Sequence, residues 1–407
     1  HVPFFTAQAS LEDSDPSWRA VSAGLVLLRL VDAWIEEGAS VVAADGWGVR
    51  SVAAAIEEVP VVIPARGVLM SVLSALTEAS SGDMHAVAPR LMAYARSLDL
   101  DAKWALAADV YETITSHVHP DEESEIAINA HLRRGHCLRE LGQFTDATES
   151  FNTAAELAHH SGDMIGALRA RIGEAKIVVA RGNLPAADAI LDETVQLATK
   201  HNLRAVRSMA THDRVGIAYA RGQYDLAVRF AYDAMQHNVS ESERDRILND
   251  LAGSFYMLGL KSAARDAFLI LAATAREQYQ RWAATINLME LSAEDGAELQ
   301  FERYRQQLAA TDLPPILGTQ FELQVGLGYQ VLGYRDAAGL WLERALETAS
   351  LHSYNRFVFA AEAALADNQV ARRHTPTHVH TIPFDIPRDV ELIAEELTEL
   401  RLQVQNT

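Results

Sequence analysis

The side chains most able to do chemistry are few in this chain, and their spacing favours structural roles. Glu156 and His159 have the ExxH spacing of di-iron ligands, but no second copy is evident that could face them. We therefore expect His159 and His160 to lie at the end of a helix, where histidines interact favourably with the terminal carbonyl groups. Cys137, the single cysteine, is predicted to be a buried, inert thiol in the middle of a helix.

A second histidine cluster lies near the C-terminus. His374, His378 and His380 could gather around a metal if their segment folded over. Histidines that bind a metal are usually oriented by hydrogen bonds from neighbouring groups, and this proline-rich segment offers no rigid groups of that kind. We therefore expect ordinary linker histidines. The sequence also lacks a Walker A loop, a GxGxxG motif after a strand, an HExxH motif and a GxSxG motif. The chain is predicted to bind no cofactor or metal and not to be an enzyme.

The overall composition is that of a globular protein that can bury a core. Of the 407 residues, 49% are hydrophobic, and 35 basic against 55 acidic residues give a net charge of -20. This charge opposes binding to nucleic acid or anionic membranes, so we expect protein or cationic partners. The apolar run Val21 to Val31 is too short to span a bilayer and is expected to be a buried helix. A single cysteine fits a reducing compartment, and the protein is predicted to be cytoplasmic.

The chain repeats itself at intervals of roughly 37 to 40 residues, a period typical of helical-repeat proteins. In five segments a glycine precedes an alanine by five residues: Gly142 with Ala147, Gly182 with Ala187, Gly222 with Ala227, Gly259 with Ala264 and Gly333 with Ala338. The last interval is twice 37, and Gly296 lies midway, with Phe301 in place of the alanine. One further interval before Gly142 lies Ala102, followed by Ala107. The sequence thus predicts about seven divergent repeats, of which the first and sixth are irregular.

Each repeat is predicted to be a pair of helices, A and B. About 15 residues with apolar or small side chains at helical periodicity precede each glycine, as at Ala127, Ala130, Gly135 and Leu138. The glycine ends helix A because it adopts a left-handed backbone without strain. On helix B the alanine allows close approach, and a bulky residue four positions later fills the gap between neighbours. The bulky residues are Phe151, Leu191, Phe268 and Leu342.

These repeats resemble the tetratricopeptide repeat (TPR), a helix-turn-helix unit of about 34 residues. When each loop glycine is aligned with the family's turn glycine, the small and aromatic sites of helix A and the large site of helix B are filled. The small site of helix A is filled by Gly135 and Gly326, and its aromatic site by Phe255 and Tyr329. The large site of helix B is filled by Phe151 and Phe268. The resemblance covers roughly residues 84–350 and implies an all-α, right-handed α-solenoid with a helical N-terminal cap and a C-terminal helix. In such solenoids the A helices line a concave groove for extended partners.

The resemblance also implies where a partner would bind. The family's groove sites occupy the thirteenth, tenth, sixth, third and second positions before the turn glycine. The candidate binding residues at these sites are Asn129, His136, Arg139, Arg169, Lys176, His212, Tyr219, Arg246, Asn249 and Tyr256. Four of them are basic, so an acidic peptide or a C-terminal carboxylate could be held by charge-assisted hydrogen bonds. Because four basic residues is not above chance, the acidic character of the partner stays open.

The regions outside the repeats complete the predicted organisation. Residues 1–83 are predicted to be a helical capping region, with helices at about 16–37, 48–58 and 65–79. The solenoid is assigned to 84–366, a linker or strap rich in proline and histidine to 367–387, and a last helix to 388–407. That helix has one apolar stripe, formed by Ile393, Leu397, Leu400 and Val404. The stripe could pack on the chain's own solenoid, or it could form a homo-oligomer or partner contact.

Two functions fit these expectations. The first is a non-catalytic scaffold for protein–protein interaction that binds a peptide or a partner's helix in the groove. The second is the sensor half of a bacterial-type signalling or transcription regulator. Its effector domain would lie upstream of His1, because the sequence starts at a residue other than methionine and an upstream segment could precede it.

Overall fold

The computed structural model describes residues 1–11, 16–42, 47–79, 84–101, 103–237, 240–311, 313–352, 354–371 and 386–405. These residues form twenty α-helices, one 3₁₀ helix and no strand, which confirms the all-α prediction. The chain divides into an N-terminal unit, His1–Val206, and a C-terminal unit, Arg207–Thr407. Ala102 and the three histidines His374, His378 and His380 lie outside the described residues.

The N-terminal unit contains ten α-helices among its described residues. They are α1 Val2–Ser10, α2 Pro16–Glu37, α3 Trp47–Glu57, α4 Ala65–Glu78, α5 Met84–Leu100, α6 Trp104–His117, α7 Ser124–Glu140, α8 Phe144–Ser161, α9 Met164–Ala180 and α10 Leu184–Lys200. The 3₁₀ helix Ala39–Val42 joins α2 to the residues before α3.

The next helix, α11, spans Arg204–Ala220 and so begins just before the boundary between the units. The described helices that follow it are α12 Tyr224–Met235, α13 Glu241–Met257, α14 Lys261–Thr274, α15 Gln278–Glu294, α16 Glu298–Ala309, α17 Pro315–Val331, α18 Arg335–Leu351, α19 Asn355–Ala371 and α20 Arg388–Gln405. Helix α19 takes up the first five residues of the predicted strap, because the first proline, Pro376, comes only later.

The predicted turn glycines have the backbone that the sequence requires. Gly142, Gly182, Gly222, Gly259, Gly296 and Gly333 have φ angles between 69° and 89°. After the glycine of the first of these turns, the amide of Gln143 donates to the carbonyl of Leu138 at 2.9 Å, which satisfies a carbonyl at the end of α7. The same bond recurs in the other five turns. Each glycine therefore ends a helix A by the Schellman arrangement.

Small and large residues alternate where helices meet, as predicted. The five alanines that follow the glycines are fully buried, and Phe151, Leu191, Phe268 and Leu342 are buried beside them. A methyl group added at Gly173 on α9 would lie 2.3 Å from Phe151 Cε1, and one at Gly135 on α7 would lie 2.9 Å from it. The ring of Phe151 on α8 thus occupies space that both glycines leave open. Successive hairpins are fixed in register by this contact.

The irregular hairpin of α15 and α16 keeps the packing because a large and a small residue exchange places. Phe301 on α16 stands where an alanine is expected, and it is fully buried. A Cβ at Gly328 on α17 would lie 2.3 Å from the Phe301 ring, so the glycine supplies the space that the alanine supplies elsewhere. The repeat is degenerate in sequence, but its helix B still packs on the next helix A.

The helices before the repeats share one hydrophobic core with α5–α9. The three helices predicted there correspond to α2, α3 and α4, whereas the short α1 was not predicted. Phe4 on α1 and Trp34 on α2 are both fully buried in this core. The apolar run Val21 to Val31 lies inside α2, and most of its side chains are buried. None of the described helices is long and apolar enough to cross a membrane.

The last helix, α20, packs against helices of its own unit. Val390, Ile393 and Leu397 are buried in a cluster with residues of α12, α13 and α14, and Leu400 contacts that cluster. Polar contacts support the same position, because Arg229 on α12 forms an ion pair with Asp389 at 2.6 Å. Thr398 donates a hydrogen bond to Asp266 on α14 at 2.8 Å. Most of the predicted apolar stripe is therefore covered by the same chain.

Candidate functional site

The C-terminal unit has a cleft of about 500 Å³ lined mainly by A helices. Helices α11, α13, α15, α17 and α19 contribute to it, with one residue from α14. The lining residues are Val215, Gly216, Tyr219, Asn249, Asp250, Gly253, Tyr256, Met257, Phe268, Asn287, Glu290, Leu291, Gln320, Gln324 and Arg356. This volume is in the range of sites that hold small molecules or a few residues of a peptide.

Helical spacing explains how these side chains converge. On α13, Asn249, Gly253 and Tyr256 are four and three residues apart and so share one face of the helix. Packing does not require a glycine at position 253, because a Cβ there would meet nothing within 4 Å. The same holds for Gly216 on α11. A glycine inside a helix costs about 1 kcal/mol relative to alanine. These two glycines therefore have no packing role and leave the surface of the cleft open.

Carboxamide groups form the most distinctive part of the lining. Asn249, Asn287, Gln320 and Gln324 come from three successive A helices, α13, α15 and α17. The Oδ1 atom of Asn249 is buried and has no hydrogen-bond partner within the described chain. A buried acceptor without a partner costs free energy, about 1 to 3 kcal/mol, unless a ligand or water satisfies it. The arrangement is therefore suited to a ligand that offers both donors and acceptors.

An acidic corner adjoins these amides. The hydroxyl of Tyr256 donates to the Glu294 carboxylate and lies 3.4 Å from Glu290 Oε1. Lys261 Nζ pairs with Glu294 Oε2 at 2.7 Å. Burial and the nearby charge of Glu294 raise the pKa of Glu290 to about 7, although the hydrogen bond from Tyr256 lowers it. Near neutral pH, Glu290 therefore exchanges between a carboxylate and a neutral acid that can also donate a hydrogen bond.

The lining also includes Tyr219, whose ring contacts that of a neighbouring tyrosine. The rings of Tyr219 and Tyr224 meet edge to face, with centroids 5.2 Å apart. His212 on α11 pairs with Asp250 on α13, with Nε2 and Oδ2 2.9 Å apart, and this contact joins the two A helices beside the cleft. Within the described ranges no three His, Cys, Asp or Glu side chains converge as metal ligands would. The site offers hydrogen bonding and stacking to an organic ligand.

The predicted binding residues are divided between the two units. In the C-terminal unit, Tyr219, Asn249 and Tyr256 line the cleft, and His212 touches it through Asp250. Arg246 does not line it, and its guanidinium donates to the carbonyl of Ser242 on its own helix at 3.3 Å.

In the N-terminal unit, two of the five predicted residues line a cleft of their own. Asn129 and Arg169 belong to its lining, and Arg169 Nη1 donates to Asn129 Oδ1 at 2.7 Å. His136 and Arg139 instead contact each other and Glu140, and Lys176 lines neither cleft. Of the four basic residues predicted to hold an acidic partner, Arg169 is the one that lines either of these two clefts.

Sequence reasoning missed several residues of the cleft in the C-terminal unit. Asp250, Asn287 and Gln324 each lie nine residues before a turn glycine, whereas the resemblance pointed to the tenth. At the tenth position Ile286 and Leu323 are buried in the core. Gln320 occupies the thirteenth position before Gly333, so the same rule applied to the last repeat would have found it. Arg356 comes after the last turn glycine, Gly333, and no signal in the sequence marks it.

Comparison with known proteins supports the fold. No protein-family model matches the chain, and no curated protein matches its sequence. The Rap conjugation gene regulator of the plasmid pLS20, solved in complex with the Phr* peptide, is 13% identical with a TM-score of 0.51, and the match covers 88% of this chain and 99% of that chain. A Rap protein complexed with Competence and Sporulation Factor is 13% identical with a TM-score of 0.46, and the match covers 87% of this chain and 100% of that chain.

The helical hairpins, their glycine turns and the first of these likenesses together define the class. The chain has a TPR-like helical-repeat fold. At 13% identity the likeness shows the fold and does not transfer a ligand.

Proposed function

We propose that this chain is a non-catalytic interaction protein that binds a peptide, or a short segment of a partner protein, in the cleft of the C-terminal unit. The observation that carries the proposal is the set of four carboxamides on α13, α15 and α17, one of which has a buried acceptor without a partner. The A helices that line the cleft are the surface with which helical-repeat proteins bind extended partners.

The chemistry of the carboxamides fits the backbone of an extended peptide. A peptide group has one N–H donor and one C=O acceptor, and an Asn or Gln side chain presents the complementary pair. Such contacts are independent of the peptide's own side chains, which the ring of Tyr219 and the acidic corner at Glu290 would then select. The Rap conjugation gene regulator of pLS20, which has the same fold, was solved with a peptide bound.

The charges of the cleft bear on the kind of peptide. The lining contains two carboxyl groups, those of Asp250 and Glu290, and one guanidinium, that of Arg356. An acidic peptide, which the sequence left open, draws no support from this lining. The net charge of -20 continues to favour a protein or peptide over nucleic acid, and a cytoplasmic location stays a prediction.

A peptide library tests the proposal. The full chain is incubated with a pool of synthetic peptides, and retained peptides are identified by mass spectrometry and measured individually. Asn249→Ala should weaken the retained peptides by about tenfold to a hundredfold, which corresponds to about 1 to 3 kcal/mol. Since Asn249 Oδ1 has no partner within the described chain, the variant should keep its thermal stability.

Asn152→Ala is the matched control, because Asn152 is an exposed residue of α8 in the other unit. It should bind each peptide as the unchanged chain does. The proposal fails if the unchanged chain retains no peptide, or if Asn249→Ala retains every peptide with unchanged affinity.

A second candidate is that the peptide-binding chain is the sensor half of a signalling or transcription regulator with an effector domain upstream of His1. It is favoured by the likeness in fold to a protein described as a conjugation gene regulator. A DNA-binding or kinase sequence in the reading frame before His1 would support this candidate. If the reading frame before His1 contains no such sequence, the first candidate, a scaffold for protein–protein interaction, is favoured.

The number of repeats and the oligomeric state also belong to this proposal. The described helices α5 to α18 supply seven successive helix pairs, which supports the predicted seven repeats. A homo-oligomer through α20 stays a prediction. Because Ile393 and Leu397 are covered within the chain, it would have to use the exposed Leu392 and Leu402.

A further inference from the structure

The N-terminal unit has a second cleft, of about 550 Å³, between the A helices α5, α7 and α9. Its lining residues are Pro89, Met92, Ala93, Arg96, Tyr111, Glu125, Ile126, Asn129, Arg133 and Arg169. Each of the three A helices contributes one arginine. With Glu125 as the lining's one carboxylate, this cleft carries positive charge in a chain whose net charge is -20.

Two of the arginines are held in place by neighbouring side chains. Asn129 donates to the carbonyl of Glu125 at 2.9 Å and accepts from Arg169 at 2.7 Å, so the amide orients that guanidinium. Arg133 Nη1 lies 3.8 Å from Oδ2 of the buried Asp99, whose other oxygen lies 3.3 Å from His136 Nε2. Burial would raise the pKa of Asp99, but the contact with His136 and the two arginines Arg133 and Arg96 lower it, so Asp99 stays ionised and holds Arg133.

The floor of the cleft has an unsatisfied donor. Tyr111 on α6 is 0% exposed, and its hydroxyl has no hydrogen-bond partner in the described structure. Burial raises the pKa of Tyr111, so the hydroxyl keeps its proton and remains a donor. A buried hydroxyl without a partner is destabilising, and an acceptor atom placed in the cleft would relieve this cost.

The geometry points to a site for an organic oxyanion, a carboxylate or a phosphate monoester with an apolar body, in this cleft. Guanidinium groups bind such oxyanions through charge-assisted, often bidentate hydrogen bonds, and the Tyr111 hydroxyl would donate a further bond. Met92, Ile126 and Pro89 give the apolar body of the ligand a surface to contact. The site lies within the N-terminal unit and does not depend on the function proposed for the other cleft.

Titration calorimetry with three related probes tests this site on the full chain. Phenyl phosphate and phenylacetate carry the two oxyanions, and phenylacetamide is the uncharged analogue. We expect at least one anion to bind at millimolar concentration or below, phenylacetamide not to bind, and the affinity to fall as salt is added. Which anion binds more tightly identifies the headgroup, and either order supports the site.

Variants locate the binding. Arg96→Gln alters an exposed side chain of the lining and should weaken the anion by about tenfold, and Tyr111→Phe, which removes only the hydroxyl, by a similar factor. Arg90→Gln is the control, because Arg90 is exposed on the same helix but does not line the cleft. Should Tyr111→Phe alter folding, Arg96→Gln still decides the question. The inference is overturned if neither anion binds, if the amide binds equally well, or if Arg96→Gln and Arg90→Gln have the same affinity.

Discussion

Replacing Glu290 by glutamine should make the stability of the C-terminal unit less dependent on pH. The pKa of Glu290 is raised from 4.5 to about 7 in the folded chain, because the carboxyl is buried near Glu294. Between these two pH values the folded chain binds more protons than the unfolded chain, so the free energy of unfolding decreases as the pH rises through this window. The stabilising contribution is complete below about pH 4.5 and is lost above about pH 7.

The magnitude follows from the two pKa values. Their difference of about 2.5 corresponds to about 3 kcal/mol at 1.36 kcal/mol for each pKa unit. A glutamine keeps an acceptor for the Tyr256 hydroxyl but cannot ionise. Glu290→Gln should therefore differ little from the unchanged chain near pH 5 and be more stable by up to about 3 kcal/mol near pH 8.

Urea unfolding followed by circular dichroism at several pH values measures this difference. The informative quantity is how the difference in unfolding free energy between the two chains changes with pH, because the titration of groups that do not interact with Glu290 is common to both. Glu347→Gln serves as the control, since Glu347 is exposed on α18. Its difference in unfolding free energy from the unchanged chain should not vary with pH. If the difference in unfolding free energy between Glu290→Gln and the unchanged chain is constant from about pH 5 to about pH 8, the reasoning about burial and the Glu294 charge is refuted.

Two further predictions concern packing. Gly173→Ala should destabilise the chain by about 1 to 3 kcal/mol, since the new methyl group would lie 2.3 Å from the Phe151 ring. Gly67→Ala, at an exposed helical site with nothing within 4 Å, should instead stabilise by about 1 kcal/mol, and equal thermal shifts for the two variants would contradict this packing. Leu397→Ala on α20 should cost about 2 to 5 kcal/mol in urea unfolding, whereas Leu402→Ala should have a small effect because Leu402 is about half exposed.

The fold could be predicted from the sequence because its determinants are local and repeat. A glycine that must adopt positive φ, followed at a fixed distance by an alanine and a bulky residue, defines one hairpin whatever the rest of the chain does. Helix α1 could not be predicted in this way. Its nine residues have no clear apolar periodicity, and the helix is stabilised by burying Phe4 against the core of its unit.

The candidate site could be predicted only in part. The resemblance pointed to the A helices, and two of the residues that it indicated, Asn249 and Tyr256, line the cleft of the C-terminal unit. How far each A helix is rotated about its axis depends on tertiary packing, and this rotation decides whether Ile286 or Asn287 faces the cleft. Of the basic residues that the sequence grouped, Arg169 lines the cleft of the N-terminal unit, and Arg246 lines neither cleft. The proposed oxyanion site was missed because Arg96 and Tyr111 lie on α5 and α6, where the repeat pattern of the sequence is irregular.

The interlocked pair Phe301 and Gly328 limits how this chain can be engineered or can evolve. Exchanging α15 and α16 for a consensus hairpin with alanine at 301 would leave an empty volume opposite Gly328. A side chain added at 328 alone would collide with the aromatic ring. Neither half of the pair can therefore be changed without the other, and the hairpins α15–α16 and α17–α18 must be transplanted together.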